Sequence, residues 1–183
     1  MVHRASIQET VNVKLYTGKI PTIAEEMVRT LSGDGDIEVG DAHEAQLDIE
    51  AILKEYVRLD RELTDKAKDL MEQRNLPYGQ FGKIKRSLAE ERQFALGEEA
   101  TAWIANQILE SFMASAHVEE VFADDVVLRK KVRDILRKHM MVDEELDQEV
   151  RNRIKNLEEG TQAWELEYKR AMDQIKRKHG LGE

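Results

Sequence analysis

The chain has no cysteine, which excludes a disulfide framework, thiol chemistry and cysteine-ligated zinc. It has two prolines and 5% aromatics, a poor supply for a β-rich core and few interruptions to helices. No apolar run approaches the roughly 20 residues that a membrane span needs. The first residues lack the apolar stretch of a signal peptide, so a cytoplasmic location without a membrane partner is expected. Chemistry-bearing motifs are missing too. There is no glycine-rich phosphate loop, no Gly-x-Ser-x-Gly, and no Glu-x-x-His or His-Glu-x-x-His in a helical stretch. The expectation is therefore no cofactor, no catalytic residues and no resident metal, with an enzyme the minority reading.

What the chain does contain is charge and helix formers. Charged residues make up 36% of its 183 positions, and a 41% hydrophobic fraction is too high for a disordered chain. The formal net charge of −9 weakens nonspecific attraction to nucleic acid and to anionic lipid.

Apolar residues recur at helical spacing along most of the length. Val11, Val13 and Leu15 alternate with polar residues, an extended pattern that fits a docked arm, a strand pairing with a partner chain or a flexible start. Residues 1–6 are expected to be loose. Pro21 opens a helix carrying Ile23, Met27, Val28 and Leu31, which Ser32–Asp36 ends. A long helix from about Asp41 carries Leu47, Ile52, Leu53, Tyr56, Leu59, Leu63, Leu70 and Met71, and a third runs from Gln80 to Phe94. After Gly97 the order begins again, with Trp103, Ile104, Ile108, Leu109 and Phe112 on one helix. Leu128, Val132, Ile135, Leu136, Val142, Leu146, Val150, Ile154 and Leu157 predict one continuous helix from Asp125 to Leu157, about 50 Å long. Gly160-Thr161 then leads to a terminal helix with Trp164, Leu166, Tyr168, Met172 and Ile175, ending at Gly180.

The recurrence aligns residue by residue. Ile23-Ala24, Met27, Val28 and Leu31 fall on Ile104-Ala105, Ile108, Leu109 and Phe112 at an offset of 81. Ile52-Leu53-Lys54, Asp60 and Glu62-Leu63 fall on Ile135-Leu136-Arg137, Asp143 and Glu145-Leu146 at 83. Lys85-Arg86 and Leu88 fall on Lys169-Arg170 and Met172 at 84. The halves also match in charge, 14 basic against 18 acidic residues in 1–95 and 14 against 19 in 96–183. The predicted fold is thus an all-α, internally duplicated helical bundle. Two short-long-short three-helix units, 14–95 and 96–183, pack pseudo-symmetrically behind a short extended N-terminal arm at 1–13. Packing within one chain and exchange between two chains give the same contacts, so a homodimer stays open. Asp60 and Asp143, poor formers in mid-helix, predict a kink or a new N-cap in both copies. The core residues expected are Leu53, Leu59, Leu63, Ile104, Ile135, Leu136, Leu146, Ile154 and Trp164.

Three stretches stand out, Lys14-Leu-Tyr-Thr-Gly-Lys-Ile-Pro21, Lys83-Ile-Lys-Arg-Ser-Leu-Ala-Glu-Glu-Arg92 and Gly160-Thr-Gln-Ala-Trp-Glu-Leu-Glu-Tyr168. They resemble a bacterial family of unknown function, domain of unknown function 507. The resemblance covers nearly everything after about residue 13. It implies an all-helical fold and carries no established activity, so it transfers no site residue.

Two acidic clusters resemble metal sites at first sight. In Asp34–Asp41 a helix-loop-helix calcium site would need glycine at its sixth position and glutamate at its twelfth, where Val39 and Ala45 stand. An acidic loop that caps helices is the better account. His117, Glu119, Glu120, Asp124 and Asp125, with His43 and Glu44 in the first copy, carry ligand chemistry without a helical ligand spacing. His139, opposite Tyr56 in the first copy, reads as a boundary residue. The most suggestive charge feature is Arg129, Lys130, Lys131, Arg133, Arg137 and Lys138, with Lys176-Arg177-Lys178 near the end, a cluster absent from the matching positions of the first copy. Such a run either tracks phosphates or forms a solvated face paired with nearby acids, and the second is favoured. The functional expectation is a non-enzymatic helical protein–protein interaction module. The alternative is a ribosome- or structured-RNA-associated factor that uses the Arg129–Lys138 face.

Overall fold

The structure is a computed structural model that describes residues 12–142, 144–159 and 161–178. Helices dominate: α1 (Ile20–Gly33), α2 (Ala42–Gln73), α3 (Phe81–Glu91), α4 (Glu99–Ala114), α5 (Asp125–Met140), α6 (Glu144–Arg153) and α7 (Gln162–Lys178). Four short strands accompany them, β1 (Asn12–Val13), β2 (Ile37–Val39), β3 (Val118–Val121) and β4 (Met141–Val142). They pair antiparallel as two-stranded ribbons, β1 with β4 and β2 with β3. The expectation of an all-α chain is corrected to a mostly helical one. Short β-branched segments at Ile37–Val39 and Val118–Val121 find each other's backbone groups, a long-range pairing that helical periodicity does not register.

The chain divides into two compact units, 15–140 and 1–14 with 141–183. In the unit 15–140, Pro21 sits in the first turn of α1, where its missing N–H costs nothing. Asp41 caps α2, its Oδ1 accepting from the N–H groups of His43 and Glu44 at 3.0 Å each. α1 packs on α2 and α5, α4 packs on α5 and α2, and α3 lies along α2. Ile20, Ile23, Met27 and Leu31 of α1 are fully buried with Ile49, Leu53 and Leu63 of α2. Ile104 and Ile108 of α4 and Leu128 and Leu136 of α5 complete this core, and Ile135 is buried as well. Tyr56 stacks on Phe94 with ring centroids 4.8 Å apart, beside Trp103, and its hydroxyl donates to the Ala95 carbonyl at 2.9 Å. Burial, helped by Asp60, pushes the Tyr56 phenol well above its ordinary pKa.

Two expectations for α2 fail. Its buried face runs through Ala45, Ile49, Leu53, Tyr56, Val57, Leu63, Ala67 and Met71. Leu47 is exposed, and Ile52, Leu59 and Leu70 are half-buried. Small residues, Ala45 and Ala67, occupy the true stripe, and the larger leucines beside it drew the reading off phase. Asp60 is not a new N-cap, since α2 continues through it to Gln73. Lys85 of α3 pairs with its carboxylate at 2.7 Å, so the side chain is used for tertiary packing and not for capping.

In the unit 1–14 with 141–183, Asn12 and Val13 pair with Val142 and Met141, so these two residues at the end of the arm are docked on the chain itself. α6 packs against α7, burying Leu146, Val150 and Ile154 on α6 and its C-terminal end with Trp164, Tyr168, Ala171, Met172 and Ile175 on α7. The Lys14 ammonium lies 3.6 Å from the Trp164 ring centroid and 3.5 Å from Glu159 Oε1, a cation–π contact closed by a carboxylate. The Tyr168 hydroxyl donates to the buried Asp147, which also accepts from Arg151 Nε at 2.7 Å. The single helix expected over Asp125–Leu157 is corrected: α5 ends at Met140, β4 intervenes, and α6 starts at Glu144. Met141 and Val142 satisfy their backbone on β1 in place of a helical ladder. Asp143, Gly160, Gly180 and residues 1–6, on which further expectations fell, lie outside the described residues. Among the described residues, no helix is long and apolar enough to cross a membrane.

Candidate functional site

The six cations singled out by sequence all lie on α5. Its inner stripe, Leu128, Val132, Ile135, Leu136 and Met140, is buried and fixes the rotation of the helix. That rotation splits the six into two sets. Lys131 and Lys138 reach toward α1 and the loop after it. Lys131 Nζ donates to Asp34 Oδ2 at 2.9 Å and to Asp36 Oδ2, which together raise its pKa. Lys138 Nζ donates to Glu26 Oε1 at 2.8 Å, and His139 Nε2 bonds the other oxygen of the same carboxylate. These bonds from Lys138 and then His139 hold the Glu26 carboxyl below its ordinary pKa. His139 is thus the partner of an interhelical carboxylate.

Arg129, Lys130, Arg133 and Arg137 form the other set, lining a groove of about 300 Å³ with Val126 and Asp134. Arg129 Nε donates to Asn106 Oδ1 at 2.9 Å and Arg137 Nη2 to Glu98 Oε1 at 2.9 Å, which leans both side chains toward α4 and its start. Lys130 pairs with Asp134 one turn on, at 2.9 Å. Arg133 is exposed and makes no ion pair among the described residues. The Arg137 Nε is buried and without a hydrogen-bond acceptor. A second groove, of about 390 Å³, shares Arg129 and is lined by Asn106, Leu109, Glu110, Met113 and Asp125.

Sequence reasoning missed the exposed apolar side chains in the last turn of α4 and around the start of α5. Val126 is 74% exposed, Met113 65% and Phe122 57%. The signal lay in their phase. Val126 and Val127 fall off the Leu128–Val132–Ile135 stripe, and Phe122 falls in the turn before α5. Among the described residues no group of three or more His, Asp or Glu is placed to hold a metal. Of the two acidic clusters, Asp34 and Asp36 are engaged by Lys131, while Glu119 and Glu120 lie on β3.

The family model described as "Protein of unknown function (DUF507)" matches residues 13–181 of the 183-residue chain. The chain belongs to this family. No curated protein matches it. The DUF507 match takes in the seven helices of the described residues and the two grooves above, and the Asn12 end of β1 falls just outside it.

Proposed function

We propose that this DUF507 chain is a non-enzymatic, internally duplicated helical module whose task is to bind another protein. The observation that carries the reading is the pair Met113 and Val126, 65% and 74% exposed, which line two grooves that share Arg129, with Phe122 exposed in the turn before α5. Large apolar side chains cost solubility when left in water, and clustered exposure is the usual mark of an interaction surface. The scaffold beneath is rigid in the relevant sense, since the neighbouring Leu109, Phe112 and Leu128 are buried. The side chains that line the grooves include no Ser, Thr, Cys or His that could form a nucleophile–base pair, which favours binding over catalysis.

Duplication is part of the same proposal. α1 and α4 each pack on both α2 and α5, β2 pairs with β3 at the matching place in each copy, and α3 lies on α2 as α7 lies on α6. The third helices and the paired strands are the features that chance alignment of two amphipathic helices would not supply.

The test is site-specific photo-crosslinking in cells, with benzoylphenylalanine in place of Val126 and, as control, of the exposed Ser87. A discrete protein adduct at 126 that is absent at 87 and weakened by Phe122→Ser or Met113→Ser is expected. Absence of protein adducts at 126, 122 and 113 alike refutes the reading.

A further inference from the structure

We infer that the α5 groove recognises an acidic amphipathic helix of a partner protein; this rests on the interaction reading above and adds the chemistry of the partner. The groove carries four cations, Arg129, Lys130, Arg133 and Arg137, against two carboxylates, Asp134 in its lining and Glu98, which Arg137 engages at 2.9 Å. A local excess of that sign stands out in a chain whose net charge is −9. The three arginines sit four residues apart, so their Cα atoms climb the helix in steps of about 6 Å. Carboxylates repeated every three or four residues on a second helix have the same rise and meet guanidinium forks in register. The guanidiniums are incompletely used at home, since Arg133 makes no ion pair among the described residues and the Arg137 Nε has no acceptor.

A polyphosphate strand fits less well. The exposed Val126 at one end of the arginine row, and Met113 in the groove that shares Arg129, offer apolar contacts that a phosphate backbone does not use. The carboxylates of Asp134, Asp125 and Glu110, which line the two grooves, repel a strand carrying one charge per nucleotide more than they repel a helix with a few. An amphipathic helix places leucines toward Val126 and Met113 and glutamates toward the arginines, which uses both halves of the surface.

The experiment titrates the full chain into fluorescein-labelled probes and reads anisotropy. The probes are an 18-residue lactam-stapled Leu/Glu amphipathic helix, the same helix with every Glu as Lys, and a 20-nucleotide RNA hairpin. The Leu/Glu helix binds, its affinity falls at least tenfold with Arg133→Glu and less with Arg133→Gln, and it weakens between 50 and 300 mM salt. Circular dichroism of both variants shows unchanged helicity, as expected for an exposed side chain. Any one of four results overturns the inference: no binding of the Leu/Glu helix, equal binding of the Lys helix, tighter Arg133-dependent binding of the RNA hairpin, or self-association in sedimentation velocity that Arg133→Glu abolishes. Photo-adducts at position 126 that persist undiminished in Arg133→Glu remove the acidic partner alone and leave the interaction module standing.

Discussion

Arg151→Met perturbs the most heavily buried charge in the unit built from α6 and α7. Asp147 is 5% exposed, and its carboxylate accepts from Arg151 Nε at 2.7 Å and from the Tyr168 hydroxyl. Burial opposes the Arg151 charge, but Glu159 at 2.9 Å and Asp147 outweigh it and hold the guanidinium above its ordinary pKa. Removing one partner of a buried, hydrogen-bonded ion pair costs about 3–5 kcal/mol, because the other is left in a poorly solvated site. Tyr168→Phe removes one hydrogen bond to the same carboxylate and costs about 1.5–3 kcal/mol. Asp147→Leu with Arg151→Met removes both charges and recovers most of the Arg151→Met loss. The chain has two tryptophans, one in each unit, so Trp103→Phe leaves Trp164 as a local reporter of urea unfolding. An Arg151→Met loss under about 1 kcal/mol, or a double variant no more stable than the single, refutes the assignment of Asp147 as a buried charge.

Leu136→Ala and Leu53→Ala each empty a fully buried position and are expected to lower stability by about 2–5 kcal/mol in chemical denaturation. Glu26 has a folded-state pKa below its ordinary 4.5, so its stabilisation is present above that value and is lost as pH falls through the folded pKa. The slope of stability against pH below about 5 is therefore steeper in the parent than in Glu26→Gln, as urea titrations at stepped pH would read. Gly97 holds φ at +65°, where an L side chain is strained, so Gly97→Ala costs about 1 kcal/mol in thermal unfolding although nothing lies within 4 Å of the added Cβ.

Much of the core was legible because it rests on local periodicity. Leu53, Leu63, Ile104, Ile135, Leu136, Leu146, Ile154 and Trp164 are buried as their spacing predicted, and Leu59 is not. The stripe reading weights side chains by size, so it preferred Leu47 and Leu59 to Ala45, where close helix approach wants a small residue. The basic run on α5 was visible as a charge pattern. Its division was not, since the carboxylates that claim Lys131 and Lys138 come from Asp34, Asp36 and Glu26, about a hundred residues upstream. The exposed Val126 and Phe122 were invisible for the same reason. Exposure depends on what other elements cover.

The mid-helix aspartates show where one-dimensional reading stops. Asp60 and Asp143 are matched in sequence, and that pattern predicts a kink or a new N-cap at both. Around Asp60 the helix has local support: Arg58 bonds Glu55 at 2.7 Å and Glu62 at 3.2 Å, and Lys85 arrives from α3. Each exposed pair contributes little alone, yet none of them competes with the helical backbone. At Met141–Val142 a competitor exists, because Asn12 and Val13 offer extended backbone from the other end of the chain. A helix and a ribbon satisfy the same N–H and C=O groups, and β-branched Val142 favours the ribbon slightly. The choice is made by a segment about 130 positions away. Deleting residues 1–13 removes the competitor, and the expected outcome is a gain of helical signal in circular dichroism, with amides 141 and 142 shifting from strand to helical carbon chemical shifts. Unchanged extended shifts at 141 and 142 would mean that the break is intrinsic to the α5–α6 sequence and owes nothing to the arm.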